Sequence, residues 1–153
     1  MTLNKNWFNN DIDPIALLDP IIAADLNGNS VDCRGFASII LVAHIGLSGD
    51  TLSGSVLLDV ELEDSPDDST FTDCADADLE NPDTGGAGAV TGTTTGTMAR
   101  IDDPAEDNLV YAVRYVGPER FVRAVFNITG THTVGMPCSV MAFRALPTYP
   151  PTG

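Results

Sequence analysis

Short segments with the two-residue period of β-strands recur along this chain, and this pattern limits the folds open to it. Residues 55–63 read SVLLDVELE, in which aliphatic residues alternate with acidic ones. Because successive side chains of a strand point to opposite faces, the pattern predicts one buried face and one acidic, half-exposed face. Residues 38–45 read SIILVAHI, a run typical of a strand buried on both faces.

Further strand-like segments follow at intervals of roughly 8 to 12 residues, separated by turns rich in Gly, Pro and Asp. They occupy residues 70–79, 89–101, 109–116, 121–129 and 138–145. One segment, Ile15 to Leu26, has apolar residues at helical spacing, but Pro20 would kink or end a helix, so we interpret it as extended or as a single turn. The pattern predicts an all-β fold, either a single antiparallel β-sandwich or a jelly-roll-like barrel. We assign residues 15–146 to this domain, 1–14 to an N-terminal arm and 147–153 to a short C-terminal tail.

The charge balance restricts the partners. The 153 residues include 22 Asp and Glu but only seven Lys and Arg, for a formal net charge of −15. Such a field repels nucleic acid and anionic membranes, so we expect neither as a partner. The apolar runs are far shorter than the roughly 18 residues that a membrane-spanning helix needs, and the N-terminus has no signal-peptide pattern. We therefore expect synthesis in a host cytoplasm, with Cys33, Cys74 and Cys138 as free thiols.

Enzyme chemistry has little support in the sequence. No GxSxG elbow, P-loop or GxGxxG fingerprint is present. The two histidines, His44 and His132, lack the spacing of a metal-binding pair. We expect no catalytic residues and no cofactor.

The acidic segments suggest a weak metal hypothesis. Between Asp59 and Asp83 the chain has eleven Asp or Glu and no Lys or Arg. Because Ca²⁺ takes six to eight oxygen ligands from such loops, the loop around residues 64–73 offers weak calcium candidates, which are Asp64, Asp67, Asp68 and Asp73. A solvated acidic face is the preferred interpretation, and we assign no metal site.

The N-terminal arm holds the only tryptophan, Trp7, directly before Phe8. Large aromatic side chains are costly to leave in water and are typical anchors of protein interfaces. The pair therefore either packs back on its own domain or binds another chain.

Residues 111–130 gather three of the seven basic side chains, Arg114, Arg120 and Arg123. The alternation around Gly117 and Pro118 predicts a hairpin that is apolar on both faces, as in a sheet centre or a subunit interface. An Arg in such a place needs a carboxylate partner. The partners are either Asp and Glu of neighbouring strands or acidic groups of a neighbouring copy or another protein.

One segment resembles a known family. The sequence YVGPERFVR at 115–123, followed by ITGT at 128–131 and CSVMAF at 138–143, resembles the C-terminal part of small structural proteins of tailed bacteriophages, the head decoration or cement proteins. The resemblance covers roughly residues 109–145, about a quarter of the chain.

This resemblance implies a virion protein, commonly a homotrimer, that lies on the outer capsid surface of an icosahedral head and bridges capsid subunits. Its partners would be the major capsid protein and further copies of itself. We expect contacts between chains through Trp7, Phe8 and the three arginines named above. The alternatives are a tail or fibre component, or a calcium- or carbohydrate-binding β module.

Overall fold

The computed structural model describes residues 13–148, apart from the side chains of residues 13–20, 146 and 147. Within this range the chain forms eleven strands and one short 3-10 turn, Asp76–Asp78. The strands are β1 Asp13–Ile22, β2 Leu26–Asn27, β3 Val31–Asp32, β4 Phe36–Ile45, β5 Leu57–Ser65, β6 Thr72–Asp73, β7 Leu79–Glu80, β8 Thr97–Ile101, β9 Val110–Tyr115, β10 Phe121–Thr129 and β11 Met136–Pro147.

The strands form two sheets packed against each other. Sheet 1 has the order β1-β11-β4-β9-β7, and sheet 2 has the order β2-β10-β5-β6, with β3 also paired to β10 and β8 to β5. All the pairings between these strands are antiparallel. The chain is therefore an all-β sandwich, which confirms the predicted fold class.

The core lies between the sheets and follows the two-residue period of each strand. In β4, the side chains of Ile39, Leu41, Ala43 and Ile45 have no exposed surface. Alternate residues of the central strands of sheet 2 meet them, and these are Val60, Leu62, Val122, Ala124 and Phe126. Burial of these apolar side chains supplies the main stabilising contribution to the sandwich.

The prediction that β4 is buried on both faces is wrong. Its outward residues Ile40 and Val42 are half-buried, and His44 is exposed. Both faces of the strand carry aliphatic residues, but only one of these faces packs against the core. The outer face of sheet 1 is thus both apolar and partly open to solvent.

Strand β5 departs from its prediction in the opposite sense. Asp59 and Glu61, expected on a half-exposed side, are each only 5% exposed. The cause is the central position of β5, which pairs with β10 on one side and with β6 and β8 on the other. Long polar side chains from these neighbours cover its carboxylates.

The predicted hairpin around Gly117 and Pro118 is also wrong, because its two strands lie in different sheets. Strand β9 pairs with β4 and β7, whereas β10 pairs with β5, β2 and β3. The connection between them therefore crosses from one sheet to the other. It passes close over Tyr115, since a Cβ at Gly117 would lie 2.5 Å from atoms of the tyrosine ring. Glycine is needed here for space.

The segment that contains Pro20 is extended, as predicted, and forms most of the edge strand β1. Its pairing with β11 is irregular between Asp19 and Ile22, where Pro20 has no N–H to donate. Residues 1–12 of the predicted arm and 149–153 of the predicted tail lie outside the described residues. Over the described range, no helix has the length and apolar character needed to span a membrane.

Candidate protein interface

Each arginine of residues 111–130 is paired with a carboxylate of its own chain. The pairs are Arg114–Glu80, Arg120–Asp32 at 2.9 Å and Arg123–Glu63 at 2.6 Å. Two of them are cross-strand neighbours, β9 to β7 and β10 to β5. Internal pairing, one of the two alternatives drawn from the sequence, is therefore confirmed. A contact of these arginines with another chain stays a prediction, and it is not needed to neutralise them.

Arg120 is the most accessible of the three, with 42% of its side chain exposed. Its guanidinium stacks on the ring of Phe121, 4.6 Å from the centroid. Asp32 also binds the more exposed Arg34, with N–O distance 2.8 Å. The hydrogen bond from Arg120 holds the pKa of the Asp32 carboxyl well below its usual range. The two arginines line an open cleft of about 360 Å³ that also includes Phe36.

The outer face of sheet 2 is closed by its own polar side chains. Arg100 binds Asp59 in bidentate fashion, with N–O distances of 2.8 and 2.7 Å. Asn127 donates to the Glu61 carboxylate at 2.6 Å. Burial, together with the nearby Asp73 and Asp59 carboxylates, raises the pKa of Glu61. The charged and hydrogen-bonding side chains on this face thus find their partners within the chain. The face presents little apolar surface to another protein.

A buried hydrogen bond links the two sheets at the crossing. The Tyr115 hydroxyl, on β9, donates to Asp64 Oδ2, on β5, at 2.8 Å, and both residues are buried. The hydroxyl oxygen also accepts the backbone N–H of Glu119 at 3.2 Å. Burial and the adjacent carboxylate raise the pKa of Tyr115, so this hydroxyl stays a donor.

The four calcium candidates do not form a site. Asp64 points into the sandwich toward Tyr115, and Asp67 Oδ1 accepts the backbone N–H groups of Ser69 and Thr70 at 3.0 and 3.1 Å. These turn bonds, among which that from Thr70 has the largest effect, lower the pKa of Asp67 to about 2. Asp68 and Asp73 are exposed. Across the residues whose side chains are described, no group of three or more His, Cys, Asp or Glu could hold a metal ion.

The cysteines are free thiols, as predicted, with Cys74 and Cys138 buried and Cys33 half-buried. Burial raises the pKa of Cys33 and of Cys138 to about 12, so neither is a reactive thiolate at neutral pH. His44 lies exposed on sheet 1, whereas His132 is buried with its Nε2 3.2 Å from the Leu57 carbonyl oxygen.

Asp50 connects two loops, a role that the sequence did not indicate. Its carboxylate accepts the backbone N–H groups of Thr133, Val134 and Gly135, at distances from 2.7 to 3.2 Å, and the Thr133 hydroxyl at 2.7 Å. These bonds, with that from Gly135 the strongest, hold the pKa of Asp50 far below its usual range. An Asp in a glycine-rich loop suggests a local turn, but its partners lie more than 80 residues along the chain.

The outer face of sheet 1 carries a group of adjacent apolar side chains that point away from the core. We call it the apolar face, and its members are Ile40, Val42, Val110, Ala112, Met141 and Phe143. The register places them side by side, with Val42 between Ala112 and Met141. Val110 is 61% exposed and Met141 is 42% exposed. Sequence reasoning missed this surface because it assigned both faces of β4 to the core.

Trp7 and Phe8, the other predicted contact residues, lie outside the described residues. Comparison with protein-family models, with curated proteins and with solved structures finds no match to this chain.

Proposed function

We propose that this chain is a structural protein of a tailed-phage virion, a decoration protein that binds the outer face of the capsid and bridges capsid subunits. Its partners in this proposal are the major capsid protein and further copies of itself, assembled as a homotrimer. The capsid role rests on the resemblance of residues 109–145 to head decoration proteins.

The difference between the two outer faces is the observation that carries a protein-binding role. The face of sheet 2 is closed by ion pairs such as Arg100–Asp59, whereas the face of sheet 1 leaves Val110 and Met141 exposed. Exposed apolar patches of this kind mark protein interaction sites. A module with one apolar side and one sealed polar side suits a protein that lies between a protein surface and solvent.

The resembling segment contributes most of this surface. Strands β9 and β11 fall within residues 109–145 over nearly their whole length and supply four of the six residues of the apolar face, which are Val110, Ala112, Met141 and Phe143. The net charge of −15 favours protein partners over nucleic acid.

Co-sedimentation with purified undecorated phage shells tests the function. The full chain should bind and saturate at a fixed ratio to the capsid subunits. Absence of binding to shells from any candidate phage whose genome encodes this chain would refute the proposal, and binding to tails in the same assay would assign the protein to the tail.

Two matched substitutions test the predicted contact residues. A Trp7→Ala, Phe8→Ala double variant should lose shell binding, whereas Asn9→Ala, Asn10→Ala in the same segment should retain it. For the arginines, Arg120→Gln should weaken shell binding more than Arg34→Gln. Both side chains bind Asp32, but only Arg120 lies within residues 109–145, the segment that resembles decoration proteins. Equal effects within either pair would remove the corresponding residues from the proposed contact.

A further inference from the structure

We infer that one end of sheet 1 is a second protein-binding surface, and that it binds a capsid surface with an apolar centre and Lys or Arg at its rim. The inference rests on the proposed function and deepens it. A protein that bridges two subunits needs two contact surfaces, and the apolar face supplies only one of them. The second surface is the end at which β1 and β4 finish and β9 and β11 begin.

Exposed aliphatic side chains gather at this end. The four strand ends lie side by side there, in the order β1-β11-β4-β9. Within two residues of each strand end is a large apolar side chain that is 45% to 69% exposed. These four residues, which we call the end cluster, are Ile21, Leu47, Leu109 and Val134. With Val110, which follows Leu109, they make up five of the seven large apolar side chains that are exposed in the described residues. Such a concentration of exposed apolar surface marks an interaction site.

Hydrogen bonds between the loops hold the end cluster in place. The Gly46 N–H donates to the Pro137 carbonyl oxygen at 2.6 Å, which ties the loop after β4 to β11. The Asp50 carboxylate fixes the loop that carries Val134 through the backbone N–H groups described above. The Leu109 carbonyl oxygen accepts a backbone N–H of β4 at 2.9 Å. A surface that is fixed before binding loses less conformational entropy in the complex.

A recess beside Ile21 offers room for a side chain of the partner. It is an open cleft of about 250 Å³ lined by residues 21–26, among them Ala23, Ala24 and Leu26. Anchor residues of protein interfaces fill pockets of this kind. Because both surfaces of one chain act on the same shell, each contact can be weak on its own, and a small surface is enough.

The charge around the end cluster selects the chemistry of the partner. The four loops at this end, residues 23–25, 46–56, 102–109 and 130–135, contain six carboxylates and no Lys or Arg. The carboxylates are Asp25, Asp50, Asp102, Asp103, Glu106 and Asp107. Arg100, on the adjoining strand β8, is already paired on the outer face of sheet 2. Charge complementarity therefore favours a partner that carries Lys or Arg opposite these loops. A second copy of this chain, with its own net charge of −15, is repelled.

Co-sedimentation with purified undecorated phage shells, run as a titration of each full-length variant, tests the inference. Leu47→Lys and Val134→Lys should each raise the dissociation constant for shells at least about 10-fold, because each removes an apolar contact and sets an ammonium group against the cationic rim. Leu47→Glu should bind at least about threefold more tightly than Leu47→Lys, since its carboxylate complements that rim.

Ala77→Lys and Ala77→Glu are the matched controls. Ala77 is exposed, and it lies near the opposite end of sheet 1, where the carbonyl oxygen of Asp78 accepts the Val116 N–H at 2.9 Å. Neither control should change the dissociation constant more than about twofold. Circular dichroism of each variant confirms the fold, and Val134→Lys keeps the test valid if Leu47→Lys unfolds.

Weaker binding of both lysine variants of the end cluster, with Leu47→Glu tighter than Leu47→Lys, supports the inference. Wild-type binding that Leu47→Lys and Val134→Lys leave unchanged overturns it while the proposed function stands. Equal weakening by Lys and Glu at position 47 also overturns it, as does a difference between Lys and Glu at position 77 as large as that at position 47. A wild type that binds no shell refutes the proposed function and the inference with it. Sedimentation without shells adds a last comparison: self-association of the wild type that Leu47→Lys abolishes would make a second copy the occupant, and the inference would be wrong.

Discussion

The Tyr115–Asp64 hydrogen bond should be worth more to stability than any other single tyrosine hydroxyl bond in the described structure. Tyr115→Phe removes the donor to a buried carboxylate and also leaves the Glu119 N–H without its acceptor. A hydrogen bond to a charged group contributes about 1.5–3 kcal/mol, and the second lost bond adds up to about 1 kcal/mol. We therefore expect a loss of about 2–4 kcal/mol in the free energy of unfolding, or a fall in Tm of about 4–15 °C.

Tyr111→Phe is the matched control on the same strand. Its hydroxyl donates to the backbone carbonyl of Glu106 at 2.6 Å, a neutral acceptor in a partly buried place. Loss of that bond should cost about 0.5–1.5 kcal/mol. Urea titration of both variants, followed by circular dichroism, measures the difference, which we expect to be at least about 0.5 kcal/mol.

A double-mutant cycle isolates the pair. In an Asp64→Asn background the acceptor is neutral, so Tyr115→Phe should cost at least about 0.5 kcal/mol less than in the wild type. Equal costs of Tyr115→Phe and Tyr111→Phe, or a cycle without coupling, would refute the reasoning that the hydroxyl stabilises a buried charge.

Three further outcomes follow from close contacts and charges. Gly117→Ala should destabilise the chain by about 1–3 kcal/mol, because the added Cβ would overlap the Tyr115 ring. Gly54→Ala should be nearly neutral in the same thermal melts, since no atom lies within 4 Å of the added carbon. Asp50→Asn should lower Tm at neutral pH. Because the folded-state pKa of Asp50 is lowered, the stability that its carboxylate contributes is present above the unfolded-state pKa and fades as the pH falls. The difference in Tm from wild type should therefore shrink in acid, and a constant difference would count against this account. Glu61→Gln should raise Tm at neutral pH, since the folded-state pKa of Glu61 is raised and its ionised form is disfavoured in the fold. The gain in Tm should vanish as the pH falls through that pKa. A lower Tm at neutral pH would contradict the prediction.

The sequence predicted the strands better than their partners. Alternation at residues 55–63 and the effect of Pro20 on the N-terminal segment depend on neighbours a few residues away, and both segments are strands. Sheet membership depends on distant pairing, so the alternation around Gly117 gave no sign that β9 and β10 separate into two sheets. The threonine-rich segment 89–101 forms a strand only from Thr97 to Ile101, preceded by Gly96 at φ +85° against the Leu62 carbonyl.

The candidate site shows the same division. The sequence alone shows that the three arginines need carboxylate partners, because of their charge. Only the strand register, which sets Glu63 beside Arg123, shows that such a partner belongs to the same chain. The apolar face could not be found from periodicity, because a strand with two aliphatic faces looks the same whether its second face is covered or open. Asp50 and its partners, more than 80 residues apart, were equally beyond local patterns.

The place of β11 in sheet 1 has a consequence for biosynthesis. It lies between β1 and β4, so among the described strands β1 pairs only with β11, which follows it by more than 100 residues, while β10 completes its pairing with β5 at residue 129. Until β11 forms, β1 has no partner strand within the described residues and β4 is paired only with β9, and unpaired strand edges invite pairing with other chains.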